Sequence, residues 1–314
     1  MSYRIIPYRA RYFTGLVQLL DQAFTIQNDE KDALVKWKFF SPLFHKKTVS
    51  YVAVSEKDEV VAQYTNIPVT VRRKAVTYAA SLCVDMATHV DHRRRGLISL
   101  LSAKVYKKIQ QQGTQFSIGF SNAAGVMVDK HAKEYGYQVV GTFVRYYTWC
   151  QLASRKAVLL ERVTSFDLLR PTEVSSPFFR LEKTNAFLTW RYLKKPNVSY
   201  EIYRFQEGKL GGYVVVSFQK RRCYVYDIVT NARTNEWKRI VRGIENLAVE
   251  RGVKIVIFHV LDNCFWRELL APGYWCNRSA KRRTFFTVHP HQKAPSSKKL
   301  LNPDEWLVMN GDIL

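Results

Sequence analysis

The spacing of apolar residues changes period repeatedly along the first half of the chain, and each change marks a new element. Arg4–Tyr8 reads as a short strand, whereas Leu16, Leu19, Leu20 and Phe24 share one helical face. A second helix is expected around Ala33–Phe40 and a strand at Val49–Val54. SEKDE (55–59) reads as a turn and VVAQYTNIPVTV (60–71) as a long strand pair. The mostly apolar AASLCVDMATHV (79–90) is a strand, and GLISLLSAKVYKKIQ places Leu97, Leu101, Val105 and Ile109 on one side of a helix that ends before Gly113. QFSIGF (115–120) is a strand, AAGVMVDKHAKEYG (123–136) a helix and YQVVGTFVRYYTW (137–149) a strand. This alternation predicts an α/β protein built on a mixed sheet.

The pattern also repeats. KWKFFSP (36–42) precedes YVAVSEKDEVVAQY (51–64), and TWRYLKKP (189–196) precedes YEIYRFQEGKLGGY (200–213). VDMAT (84–88) is echoed by YDIVT (226–230), and EYGYQVV (134–140) by APGYWCN (271–277). Matches in one order at nearly constant spacing predict two copies of one fold; chance recurrence of aromatic helix ends and strand starts is the alternative. Residues 151–175 lack a clean strand pattern, so the expected domains are 1–150 and 151–314. Past Thr287, VHPHQKAPSSKK is expected to be a polar loop or linker.

Charge narrows the partners. Lys and Arg number 49 against 26 Asp and Glu, a formal charge of +23, which attracts polyanions: nucleic acid, membrane surfaces, acidic carrier proteins or nucleotide cofactors. Five scattered cysteines without a C-x-x-C pair argue against a disulfide framework or zinc ribbon and predict reduced, mostly buried thiols. His289 and His291 form H-x-H without partners at ligand spacing, so no metal is expected. Arginines interrupt the N-terminal apolar residues, and no apolar run approaches the ~20 residues of a membrane helix. A cytoplasmic protein without a membrane span is the expectation.

One stretch carries chemistry. In HVDHRRRGLISLL (89–101) a basic turn with a glycine follows a strand and opens a helix. The amides of Arg94, Arg95, Gly96, Leu97 and Ile98, the positive end of the helix dipole and the forked donors of arginine together suit a pyrophosphate. Gly96 permits close backbone approach. The stretch lacks the GK[ST] of a P-loop and the G-x-G-x-x-G of a dinucleotide-binding fold.

Arg93-Arg94-Arg95-Gly96-Leu97-Ile98 resembles the acyl-coenzyme A signature of the GNAT superfamily of N-acetyltransferases, [QR]-x-x-G-x-[GA], and departs from it at Ile98. FSIGFSN (116–122) followed by Gly136-Tyr137 is similar to a further family feature, and the resemblance covers residues 3–150, with a weaker form over 165–287. It implies a strand that splays from its neighbour, so that the pantetheine arm of an acyl-CoA lies along Asp85–Val90, touching Met86, Ala87, Thr88, His89 and Val90. The diphosphate would rest on Arg93, Arg94, Arg95, Gly96, Leu97, Ile98 and Ser99, with Asn122 nearby. NARTNEWKRIV, which follows YDIVT, has no glycine turn, so the second copy is expected to keep the fold without coenzyme binding. Tandem bacterial acyltransferases of this family have a closing segment similar to WLVMNGDI, which implies a bacterial N-acyltransferase with two GNAT-like domains.

Direct transfer from a thioester to an amine needs positioning, a base and an oxyanion donor, and no G-x-S-x-G or Cys/His signature is present. Asp85 is either the base or a structural carboxylate. Many relatives carry a tyrosine acid where this chain has Ala132, which leaves His131 and Tyr135 as substitutes; an exposed helical histidine is the alternative for His131. The oxyanion donor would be an amide near Ala87 or Thr88. His89 and His92 either touch phosphates or are solvated. Asp21, Asp29, Glu30 and Asp32 either hold an acceptor ammonium or form a solvated helix face. The expected acceptor is the primary amine of a small molecule or amino sugar, and the donor acyl-CoA, with acyl carrier protein or aminoacyl-tRNA as alternatives. A basic nucleic-acid-binding module is the rival class, resting on HRRRG, KRR (281–283) and KK (298–299); no nucleic-acid-binding motif supports it.

Overall fold

The computed structural model describes residues 2–24, 30–41, 43–44, 47–122, 125, 137–150, 156–166, 176–278 and 283–314. Contacts divide the chain into two compact units: unit 1 is Met1–Thr70, Tyr78–Val139 and Thr287–Leu301, and unit 2 is Val71–Thr77, Val140–Phe286 and Asn302–Leu314.

Unit 1 holds β1 (Arg4–Pro7), α1 (Phe13–Phe24), α2 (Lys31–Phe39), β2 (Val49–Val54), all of β3 (Val60–Arg73) and β4 (Val76–Thr88) but their joined ends at Val71–Thr77, and α3 (Leu97–Gln111) and β5 (Phe116–Ser121). β1 pairs antiparallel with β2 and β2 with β3, while β4 and β5 run parallel. Residues 60–71, expected as a strand pair, form one strand. Nothing between Val60 and Arg73 reverses the chain, and the turn falls instead where Lys74 adopts φ +53°. The i, i+4 spacing of α3 buries Leu97, Leu101, Val105 and Ile109, with Tyr106, against Val49, Ala53, Val61, Ala62 and Tyr64. Each such apolar side chain contributes roughly 1.5–3 kcal/mol on burial. Gly113 at φ +88° stops the helix: its N–H reaches the Gln110 carbonyl, and the Thr114 N–H reaches back to that of Ile109.

Unit 2 is built from β6 (Gln138–Trp149), β7 (Glu161–Val163), β8 (Arg180–Leu181), α4 (Asn185–Leu188), β9 (Glu201–Glu207), β10 (Leu210–Gln219), β11 (Arg222–Thr230), α5 (Trp237–Glu250), β12 (Ile255–Leu261), α6 (Cys264–Leu270) and β13 (Trp275–Asn277). A π-turn at Thr189–Leu193 extends α4. Its strands lie in the order β6-β12-β11-β10-β9-β7, antiparallel except for the parallel β11–β12 pair. α5 buries Trp237, Ile240, Val241, Ile244, Leu247 and Ala248, a spacing of three and four, into that unit's core.

The last strand, β14 (Phe285–Pro290), and α7 (Ser297–Leu300) bring the chain back to unit 1, where residues from Thr287 onward lie beside β5. The segment past Thr287 therefore begins as strand, to Pro290, and only residues 291–296 form the polar loop its composition predicts. Thr287 donates to the Gly119 carbonyl at 3.2 Å, His291 Nε2 meets Ser117 Oγ at 2.9 Å, and His289 stacks on Tyr106 at 4.6 Å. These three side chains find partners inside, whereas Gln292, Lys293 and residues 296–299 are exposed. The thiols are also less uniformly buried than expected, with Cys150 and Cys223 buried, Cys83 intermediate, and Cys264 and Cys276 exposed.

The order helix, two antiparallel strands, a third strand, helix and parallel strand occurs in both units, as α2-β2-β3-β4-α3-β5 and α4-β9-β10-β11-α5-β12. Three details recur with it. Trp37 and Trp190 are both buried. β4 has a kink where Asp85 adopts φ +45°, and β11 has a register shift at Tyr226, beside Asp227. Asn122 and Asn263 both accept the N–H three residues on, at 2.9 Å from Gly125 and 3.0 Å from Trp266.

Candidate active site

β4 and β5 stay in register from Ala80↔Phe116 to Cys83↔Gly119 and then part, although β4 runs five residues further, to Thr88. The cause lies on the other edge of β4. The buried Gln63 side chain donates to the Asp85 carbonyl at the kink, and the His89 N–H donates to the Val61 carbonyl at 2.8 Å, so β4 follows β3 and leaves β5. A cleft opens between the diverging strands, with backbone groups of residues 84–88 along one wall, suited to a ligand that carries amides.

The cleft leads to the basic turn. A short 3-10 turn (Val90–His92) and the loop Arg93–Gly96 connect β4 to α3, with Arg94 at φ +61° and Gly96 at φ +67°. Glycine suits that conformation, and a Cβ on Gly96 would meet nothing within 4 Å, so the loop is open above it. The first i→i−4 bond of α3 runs from the Leu100 N–H to the Gly96 carbonyl, which leaves the amides of Leu97, Ile98 and Ser99 without intrahelical acceptors. Arg93, Arg94, Arg95 and Gly96 are exposed, as an anion-receiving loop requires. Ile98, the departure from the signature, packs partly buried against the unit 1 core.

Of the flanking histidines, His92 Nδ1 lies 2.9 Å from the Tyr3 hydroxyl, and His89 Nδ1 accepts the Asp91 N–H at 3.3 Å, capping the turn. Asp85 sits at the kink of β4, where its Oδ2 takes the Lys38 ammonium at 2.6 Å. Lys38 is buried, and its spacing in α2 beside Trp37 and Phe39 is the only sequence signal for it: a lysine on an apolar face. Sequence reasoning missed it, and also missed Gln63, whose Oε1 accepts from Thr65 at 2.8 Å while Thr65 meets Ser50 at 2.7 Å. Asp21 pairs with Lys31 at 2.6 Å, Glu30 and Asp32 are exposed, and Asp29 lies outside the described residues. His131 and Tyr135 also lie outside them.

Behind the cleft is a buried polar cluster. Tyr64 and Tyr106 share a hydrogen bond of 2.6 Å, and Ser117 joins Ser81 at 2.7 Å as well as His291. Burial, reinforced by His289, pushes the His291 imidazole down to about 3. Among the described residues no group of three or more His, Cys, Asp or Glu could hold a metal, and no helix is long and apolar enough to cross a membrane.

Unit 2 has its own strand divergence, filled from within. β11 and β12 pair only from Arg222↔Ile255 to Val225↔Phe258. On the edge of β12 that β11 leaves, Val260 bridges to Met309 and the Leu261 N–H donates to the Val308 carbonyl at 3.2 Å. Arg191, 2% exposed, donates to the carbonyls of Gly311 (2.9 Å) and Ile313 (2.7 Å). Lys183 bridges Asp227 and Asp312 at 2.6 and 2.8 Å, and Tyr192 donates to Asp227 at 2.6 Å. A Cβ on Gly311 would come within 2.0 Å of the Tyr192 hydroxyl, so the backbone there is tightly enclosed.

Residues 4–140 match the family model for the acetyltransferase (GNAT) domain. No curated protein matches. Solved structures share the fold at low identity. A probable N-acyltransferase from Enterococcus faecalis is 13% identical, with a TM-score of 0.69 over 93% of this chain and 74% of its own. A GCN5-related N-acetyltransferase from Kribbella flavida is 16% identical, with a TM-score of 0.67 over 92% and 72%. Saccharomyces cerevisiae N-myristoyltransferase with bound myristoyl-CoA is 10% identical, with a TM-score of 0.57 over 98% and 89%. With the domain match, the divergence of β4 from β5 and the glycine turn on α3, residues 4–140 of this chain are a domain of the GNAT acyltransferase superfamily.

Proposed function

We propose that the chain is an N-acyltransferase that moves an acyl group, in the first instance acetyl, from acyl-CoA to the primary amine of a small molecule or amino sugar. The observation that carries this reading is the continuity of the β4–β5 cleft with the exposed loop Arg93–Gly96 and the amides that open α3. Pantetheine amides would pair along Met86–Val90, and the diphosphate would take the amides of Gly96, Leu97, Ile98 and Ser99 with the guanidinium groups of Arg93, Arg94 and Arg95. Asn122 follows β5 directly and accepts the Gly125 N–H at 2.9 Å, which fits a supporting place near the coenzyme. The yeast neighbour holds an acyl-CoA in a related fold, which supports a coenzyme-linked donor over a carrier protein or aminoacyl-tRNA.

In the reaction, the neutral amine attacks the thioester carbonyl, the negative charge gathers on its oxygen, and collapse of the tetrahedral intermediate expels the thiolate as the amide forms. An amide near Ala87 or Thr88 would face the oxyanion. Asp85 is our candidate to take the amine's proton, held in position by Lys38; His131 or Tyr135 would return a proton to the leaving thiolate. Unit 2 is assigned a structural or acceptor-binding role, because its own residues 308–312 fill the equivalent strand divergence. One active site per chain follows. The test is calorimetric titration with acetyl-CoA, followed by thiol release in the presence of a panel of amines: saturable binding with amine-dependent release is expected, and absence of coenzyme binding overturns the reading.

A further inference from the structure

Unit 1 contains a cavity of about 850 Å³ where the outer edge of its sheet meets the C-terminal ends of α2 and α3. Lys108, on its wall, lies eleven residues along α3 from Leu97, about 16 Å from the basic turn at a rise of about 1.5 Å per residue. The two sites are thus separate.

The wall is aromatic. Tyr8 stacks on Phe40 with ring centres 4.9 Å apart, Phe13 tilts against Phe40 at 6.1 Å, and Phe39 and Tyr51 extend the apolar surface. Burial within this group raises the Tyr8 phenol above its ordinary range. Among the described lining residues charge is of one sign: Lys36 and Lys108 are present and no carboxylate is. Lys36 lies over the Phe13 ring at 5.2 Å, and none of the ion pairs among the described residues uses either lysine. Lysines in the last turn of a helix complement its dipole. That role does not require an aromatic cavity beside them. A volume in the range of about 300–1,000 Å³, mostly apolar with a few convergent polar groups, is the form of a small-molecule site.

We infer that this cavity binds a small molecule with an apolar or aromatic body and one anionic group, its body against Tyr8, Phe13 and Phe40 and its charge between Lys36 and Lys108. An amine is the wrong occupant, because two ammonium groups would repel it. The inference is separate from the acyl-transfer reading.

The full chain is titrated with anilinonaphthalene sulfonate, and the fluorescence is competed with dodecanoate, naphthalene carboxylate and dodecyltrimethylammonium. Saturable binding displaced by at least one carboxylate and not by the cation is expected, and the tighter competitor tells a chain-shaped occupant from a ring-shaped one. Lys36→Glu with Lys108→Glu should weaken the probe at least tenfold while acetyl-CoA binding, read at the remote loop, stays as in the parent. Should that variant fail to fold, Gln112→Glu, an exposed change on the cavity rim, must weaken the probe severalfold. Displacement by neither carboxylate, equal displacement by the cation, or unchanged affinity in the folded charge variants overturns the inference.

Discussion

Reversing Arg93 and Arg95 together, Arg93→Glu with Arg95→Glu, isolates the anion-binding role of the turn. Both side chains are exposed, and their hydrogen bonds within the loop are long: Arg93 Nε to the Thr88 carbonyl and Arg95 to that of Asp91, each 3.4 Å. Arg95 also approaches the Tyr3 ring at 6.0 Å. Exposed contacts of this kind hold the fold weakly, so stability should change by no more than about 0.5 kcal/mol per site. Binding should change far more. Each charge-assisted hydrogen bond to a phosphate oxygen contributes about 1.5–3 kcal/mol, so losing two costs roughly 3–6 kcal/mol, and the introduced carboxylates add repulsion. That is a loss of coenzyme A affinity of at least about a hundredfold, since each 1.4 kcal/mol is about tenfold. Calorimetry with coenzyme A and with pantetheine, which lacks the diphosphate, separates the causes: the first should weaken and the second should not. Unchanged affinity for coenzyme A, or an equal loss for both ligands, refutes the assignment of the turn.

Two further outcomes follow from the site and the core. Asp85→Asn should lower turnover more than acyl-CoA affinity; if the variant keeps the parent pH–rate profile, Asp85 is not the base. Lys38→Met, which strands the half-buried Asp85, should destabilise unit 1 by about 1–3 kcal/mol, and Lys38→Met with Asp85→Leu should recover part of that in denaturant melts, unless the pair contributes nothing. Acid should also loosen unit 1. His291 has a lowered folded pKa of about 3 against an ordinary 6.5, so below 6.5 the unfolded chain binds a proton that the folded one refuses. Stability therefore falls as pH drops from about 6.5 towards 3, by about 2 kcal/mol at pH 5 from this residue. His291→Gln should flatten that slope in urea melts; an unchanged slope removes His291 as its source.

Much of the fold is legible in neighbouring residues. The i, i+4 run Leu97–Leu101–Val105–Ile109 with Gly113 behind it defines α3 from its own residues, and Arg93–Gly96 announces the glycine turn that opens it, because helix caps and left-handed glycines are local requirements. The echo of KWKFF by TWRYL and of VDMAT by YDIVT marks elements that recur in the same order in both units. What stayed hidden depends on which strands meet and in what register. Asp85 meets Lys38 across 47 residues of chain, and nothing near either residue states that pairing. Gln63 is an ordinary strand residue until β3 lies beside the kink of β4. Thr287, His289 and His291 turn inward only because β14 and the residue after it deliver alternate side chains to Gly119, Tyr106 and Ser117. Residues 308–312 fill the divergence of β11 and β12 because the free edge of β12 has hydrogen bonds to satisfy. Periodicity and turn chemistry act between neighbours and are written in the sequence; edge pairing and buried charge partners act across space, and only the tertiary structure decides them.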